Sequence, residues 1–340
     1  MRRVLAWVVL VLGIATAHAA HRADAFDEGG SNRAEAFGEG GQQRFKAGVD
    51  LVHFSVVVTD KQGSPITGLK AEDFELVEEG KPQSITYFSE GDADSGARLS
   101  ETLPLRLGLA LDTSGSMDRD ISDVRTGAIK FLLANDSAVD FTLVDFDTEV
   151  RVARFSPQDY PRLVERIRAR KPDGWTALYD AMGIYLDGMH GQDGRKILVV
   201  YTDGGDTRSA QTFSDIVDML KASDVIVYGI GFLQHQPTSV RNEQKLRLQQ
   251  LADVTGGQTF FPTSSKALTQ VFDQIVSQVR AQYSLGFVSS NIERDGTWRR
   301  VEVRLTPSHL QTLRVRARKG YYAPLKELPP TAFPTRPRSQ

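Results

Sequence analysis

No cysteine occurs among the 340 residues. That absence excludes a disulfide framework and removes the thiol a bacterial lipoprotein needs for acylation. It also leaves the six histidines, His18, His21, His53, His190, His235 and His309, as the only soft ligands. They are scattered without ligand spacing, so a structural zinc site is not expected. A strong charge of one sign is lacking too: the formal net charge is −2, which gives no electrostatic argument for nucleic acid or another polyanion. Long apolar runs are missing except at the start, where Val4 to Ala15 falls short of the roughly 20 residues that span a bilayer. The chain has no G-x-S-x-G elbow, no G-x-x-x-x-G-K-[ST] loop and no H-E-x-x-H helix.

What is present begins with that apolar run. Arg2 and Arg3 precede it and Ala17-His18-Ala19 follows it, the charge, length and small-residue exit of a secretory signal peptide over 1–19. The mature chain is therefore expected to be exported, periplasmic or extracellular, with no transmembrane segment. Residues 20–45 are rich in Gly, Glu, Arg and Gln and contain a short tandem repeat, Arg22 to Gly30 and Arg33 to Gly41. Two copies do not make a solenoid, and the segment reads as a flexible linker. A Pro-rich tail is expected over 324–340.

Between these ends the patterning changes twice. Leu51–Val58, Phe74–Glu78 and Ser84–Phe88 read as short strands, as do Tyr283–Val288, Arg299–Leu305 and Leu313–Ala317 at the far end. Each flank has about 40 residues, close to the size below which a domain rarely folds unaided. The two flanks, 46–95 and 283–323, are expected to combine into one discontinuous antiparallel β-sandwich. The stretch 103–282 alternates buried-strand runs (Leu107–Leu111, Phe141–Val144, Ile197–Tyr201, Val225–Ile230) with helical patterns, the last of them Ala267–Val279. That alternation predicts an α/β fold, a doubly wound, mostly parallel sheet with helices on both faces. Ligands of such sheets lie beyond the carboxyl ends of the strands.

Three loops at that end carry the chemistry. Asp112-Thr-Ser-Gly-Ser116 follows the first strand, Gly174-Trp-Thr176 opens a helix, and Thr202-Asp203-Gly-Gly-Asp206 follows the Ile197–Tyr201 strand. Their side chains are hard oxygen donors, suited to Mg²⁺ (or Mn²⁺). Helix capping accounts for each loop separately but not for their convergence. D-x-S-x-S with a later Thr and a later Asp resembles the metal-ion-dependent adhesion site of von Willebrand factor type A domains. The flanking strands and the Gly320-Tyr-Tyr-Ala-Pro324 ending resemble the secreted bacterial "VWFA-related" family.

The resemblance implies a metal site built from Asp112, Ser114, Ser116, Thr176 and Asp203. In the family the two serine hydroxyls meet the ion directly, the two aspartates act largely through water, and Thr176 would join in the ligand-binding state. A hydroxyl-rich shell leaves the ion under-neutralised, so the expected partner is a protein presenting an Asp or Glu carboxylate. Function is then metal-dependent binding by an adhesion or assembly module, not catalysis. Two other readings stand beside it: a non-catalytic envelope scaffold with a vestigial site, and a metal-assisted hydrolase, which would need a general base that the three loops do not supply. Asp118, Asp120 and Asp123 are left out of the site, since acids in a first helical turn complement the helix dipole. Trp175 is either an exposed partner contact or folded onto the sheet. The basic stretches Arg294–Arg300 and Arg314–Lys319 alternate with apolar residues and read as a solvated sheet face rather than a nucleic-acid patch.

Overall fold

A computed structural model describes residues 50–91 and 103–326, all within one compact unit. The expected leader, linker and tandem repeat, and the tail beyond 326, lie outside the described residues. Among the described residues no helix is long and apolar enough to cross a membrane.

In chain order the first flank contributes β1 (Leu51–Thr59), β2 (Phe74–Glu78), β3 (Lys81–Gln83) and β4 (Ile85–Glu90). The centre follows as β5 (Leu105–Asp112), α1 (Ile121–Ala134), β6 (Ala138–Phe146), β7 (Val150–Phe155), α2 (Tyr160–Ala169) and α3 (Leu178–Met189). It continues as β8 (Arg195–Thr202), α4 (Phe213–Ala222), β9 (Val225–Gly231), α5 (Thr238–Thr255), β10 (Gln258–Phe260) and α6 (Ser265–Arg280). The second flank is β11 (Tyr283–Val288), β12 (Trp298–Leu305), β13 (Arg314–Arg316) and β14 (Gly320–Tyr322).

The central sheet has the order β10-β9-β8-β5-β6-β7 and is parallel except for β7 at its edge. Continuous apolar strands suit it because both faces are covered. Leu107, Leu109 and Leu111 of β5, with Ile197, Val199 and Tyr201 of β8, pack under α1, α2 and α6. Ala110, Leu198 and Val200 point the other way, under α3, α4 and α5. Gly108 interrupts β5 for a packing reason: a Cβ there would lie 2.2 Å from the ring of fully buried Tyr185. α6 forms because Leu268, Phe272, Ile275 and Val279 recur on one face, and Ser264 caps it by accepting the Ala267 amide at 3.2 Å.

The two remaining sheets, β13-β1-β11-β4 and β14-β12-β2-β3, each take strands from before and after the central unit. Phe54, Val56, Tyr283 and Phe287 of one sheet and Leu76, Val301 and Tyr321 of the other share a single apolar core. The α/β unit is thus inserted into a small antiparallel β-sandwich built from both flanks. β3, β7, β10 and β14 escape the sequence reading, being three-residue strands or, for β7, half-exposed with no continuous apolar run.

The basic strands need a correction. Arg294, Arg300, Arg314 and Lys319 are exposed, as a solvated face requires, but Arg299, Arg316 and Arg318 are not. Arg299 is buried and donates to the carbonyls of Asn291 and Glu293. Arg316 reaches out of the sandwich to the Gln258 and Gln278 side chains, and Arg318 donates to the Ser223 carbonyl at 3.2 Å and the His53 carbonyl at 2.6 Å. Its guanidinium also stacks 4.5 Å over Phe54. Arg316 and Arg318 are fasteners between sandwich and central unit, while Arg299 ties the β11–β12 connection down within the sandwich, and alternation along a strand reveals neither.

Candidate metal centre

β5 ends on Asp112, which is completely buried, and the chain turns at once into Ser114 and a short 3-10 turn over Gly115–Arg119. The turn is set by Asp112 itself: its Oδ1 accepts the Ser114 amide at 2.9 Å. Its Oδ2 accepts the hydroxyl of Thr202, the last residue of neighbouring β8, at 2.6 Å. Ser114 Oγ lies 3.2 Å from Ser116 Oγ, and Ser116 Oγ donates to Asp203 Oδ1 at 2.8 Å. Asp112, Ser114, Ser116 and Asp203 are therefore joined by a continuous run of hydrogen bonds across two strand ends.

Thr176 belongs to the third loop, and its connection to the others runs through the backbone. The Gly115 amide donates to the Gly174 carbonyl at 3.1 Å and the Asp173 amide to the Thr113 carbonyl at 2.9 Å, so the first and third loops are stitched together. The Thr176 amide is held by Thr207 Oγ1 at 2.9 Å, and its carbonyl accepts the Thr207 amide at 2.9 Å, which ties it to the loop that carries Asp203. Further along, Asp206 accepts the Tyr179 amide at 3.0 Å and Asp180 accepts the Gln211 amide at 3.0 Å, binding the start of α3 to the same loop. All five sequence-predicted residues thus sit at one end of the central sheet. Trp175, between the stitched Gly174 and the buried Thr176, is 65 % exposed and does not fold onto the sheet.

The electrostatics are those of anionic oxygens held in a dry place. Burial pushes the Asp112 carboxyl up to about 7, against the opposing effect of hydrogen bonds from Ser114 and Thr202. Burial likewise raises Asp203. Among the described residues neither carboxylate has an ion-pair partner. Two buried carboxylates without a side-chain cation, beside two serine hydroxyls, fit a small hard divalent ion. Among the described residues no group of three or more His, Cys, Asp or Glu side chains is arranged to hold a metal, so any ion held here would draw on the hydroxyl oxygens as well as on the two carboxylates.

Three contributors escape the sequence reading. Thr202, read as the first residue of the loop after the Ile197–Tyr201 strand and given no role, ends β8 and anchors Asp112. Gln236, from the loop after β9, donates to the Asp203 carbonyl at 3.1 Å. His235 of the same loop places Nε2 3.5 Å from Asp120 Oδ2. A D-x-S-x-S spacing carries no signal for this fourth loop. The position of β9 next to β8 in the sheet would have pointed to it. Asp123 is engaged elsewhere, accepting the Ser265 hydroxyl of α6.

Residues 107–274 match the family of the von Willebrand factor type A domain. Among curated proteins none matches the sequence. Solved structures with a similar fold include the PilB minor pilin from Streptococcus sanguinis, at 14% identity over 69% of this chain and 89% of that one with a TM-score of 0.44. A von Willebrand factor type A protein from Catenulispora acidiphila is 13% identical over 83% of this chain and 76% of its own, with a TM-score of 0.44. BatB from Bacteroides thetaiotaomicron is 17% identical over 51% of this chain and 98% of its own, with a TM-score of 0.40.

Proposed function

Since the chain carries a von Willebrand factor type A domain, we propose that it is an exported, metal-dependent protein-binding module whose partner presents an Asp or Glu carboxylate. Asp112, Ser114, Ser116, Thr176 and Asp203 would hold Mg²⁺ (or Mn²⁺), and the bound ion would supply one electrophilic position open to an anionic oxygen. The observation that carries the reading is the hydrogen-bonded run from buried Asp112 through Ser114 and Ser116 to Asp203, whose carboxylates have no ion-pair partner among the described residues. Asp112 and Asp203 provide the charge, held rigid by Thr202 and Gln236. The serines provide neutral oxygens, Ser114 from a buried position and Ser116 from an exposed one. Such a set binds and orients; none of the three loops brings a His or Glu to act as a general base, and His235 of the fourth loop is turned to Asp120, which favours binding over hydrolysis.

Thermal melting of the full chain with and without Mg²⁺ tests this. At about 100 times the Kd, binding to the folded state alone adds about 2.7 kcal/mol, a rise of roughly 4–5 °C for a chain of this size. Asp112→Ala and Ser114→Ala should each abolish the rise while leaving the circular dichroism spectrum unchanged. A wild-type protein whose melting ignores Mg²⁺ and Mn²⁺ would make the site vestigial and the protein a scaffold. Metal-dependent turnover of an ester, peptide or phosphoester panel, lost in Asp112→Ala, would make it a hydrolase.

A further inference from the structure

The geometry points to Trp175 as a pre-set aromatic contact that selects partners carrying an apolar side chain next to the gripped carboxylate. This inference deepens the proposed function and rests on it.

Of the aromatic side chains among the described residues, only Trp175 (65 %) and Tyr322 (42 %) are exposed. Tyr322 rests edge-on against Trp298, with ring centroids 5.1 Å apart. Trp175 stands at the rim of the candidate metal centre, one residue from Thr176. An indole left in water costs hydration free energy that burial against a partner recovers, and truncating an interface tryptophan is among the costliest single changes at protein interfaces.

The backbone around it is held from every side. The Trp175 amide donates to Thr148 Oγ1 at 2.9 Å. Gly174, at φ +73°, lets that threonine come so close that a Cβ on the glycine would lie 2.3 Å from Thr148 Oγ1. The Gly174 carbonyl accepts the Gly115 amide from the Asp112 loop at 3.1 Å, and on the other side Thr176 is fixed by Thr207. A partner therefore does not have to order this loop, and on the loop itself the ordering cost of binding is confined to the indole's own two torsions. The same hydrogen bonds fix the Trp175 backbone next to Thr176 and the Asp112 loop, so carboxylate and apolar contact are expected from neighbouring positions of one partner segment. Exposed Lys171 and Asp173 on the same loop carry opposite charges, so the local field selects neither sign. Apolar contact is what remains for the ring to offer.

The test uses immobilised, end-capped hexapeptides with one fixed Glu and neighbours varied among Ala, Ser, Lys, Leu and Phe, probed with the full chain in Mg²⁺. Wild type should retain Glu peptides with Leu or Phe beside the Glu. Trp175→Ala should bind them roughly tenfold more weakly or worse and lose the preference for apolar neighbours, with Trp175→Phe recovering much of it. The Mg²⁺-induced rise in melting temperature should be the same in both variants as in wild type. Glu-dependent retention that ignores the neighbours, or a preference that survives Trp175→Ala, overturns the inference and leaves the carboxylate reading standing. Absence of any Glu- and Mg²⁺-dependent retention overturns the proposed function, and this inference falls with it.

Discussion

Thr202→Val isolates the contribution of one hydroxyl to the site. Valine keeps the volume and the β-branching that suits the end of β8, so packing changes little. The hydroxyl has a single proton and two acceptors in range, Asp112 Oδ2 at 2.6 Å and the Gly204 carbonyl at 3.0 Å. The shorter, charge-assisted bond to Asp112 takes the proton. The same oxygen accepts the Gly204 amide at 3.1 Å. Valine therefore strips a fully buried carboxylate of a donor and leaves a buried amide without its acceptor. A hydrogen bond to a charged group is worth about 1.5–3 kcal/mol and a neutral one about 1, so the sum is about 3 kcal/mol. For a chain of this length that is a fall of roughly 4–5 °C in melting temperature. The assay is differential scanning calorimetry without added metal at about pH 9, above the raised value of about 7 so that Asp112 is ionised, with Thr202→Ser, which keeps the hydroxyl, as the control. A valine variant that melts within about 2 °C of wild type, or a serine variant that falls as far, would refute the claim that this hydroxyl anchors Asp112.

Two more perturbations test the frame that carries the site. Burial, then the nearby Arg318 charge, hold His53 down from the ordinary 6.5 to about 4. A depressed folded value means that stability is complete above pH 6.5 and is lost as the pH falls toward 4, by about 3 kcal/mol. Urea denaturation across that window should show the slope, and His53→Phe should flatten it. If the slope is unchanged in the variant, His53 is not its source. Gly108→Ala should cost about 3 kcal/mol, because its Cβ would lie 2.2 Å from the Tyr185 ring, whose hydroxyl is tied to the Ile197 carbonyl. Chemical denaturation measures the loss, and a neutral result would mean that the α3–β5 contact yields more readily than close packing allows.

Sequence by itself determined the order of elements and the end of the sheet where the chemistry collects. Apolar runs such as Leu107–Leu111 and Ile197–Tyr201 can be satisfied only by covering both faces, and the periodicity of Leu268, Phe272, Ile275 and Val279 only by a helix laid on one of them. The flanks were legible as partners because each was too small to close a core alone. Tertiary structure alone decided which side chains support the carboxylates and which arginines are withdrawn from solvent. Thr202 reaches Asp112 across 90 positions of sequence, and Arg318 reaches the His53 carbonyl across 265. Periodicity reports what neighbours along the chain share, whereas these contacts depend on which strand lies beside which, a quantity fixed by the packing of the whole core. Trp175 shows the same division: its place beside Thr176 is written in the sequence, but its exposure follows from Thr148 and Gly174 meeting across two loops.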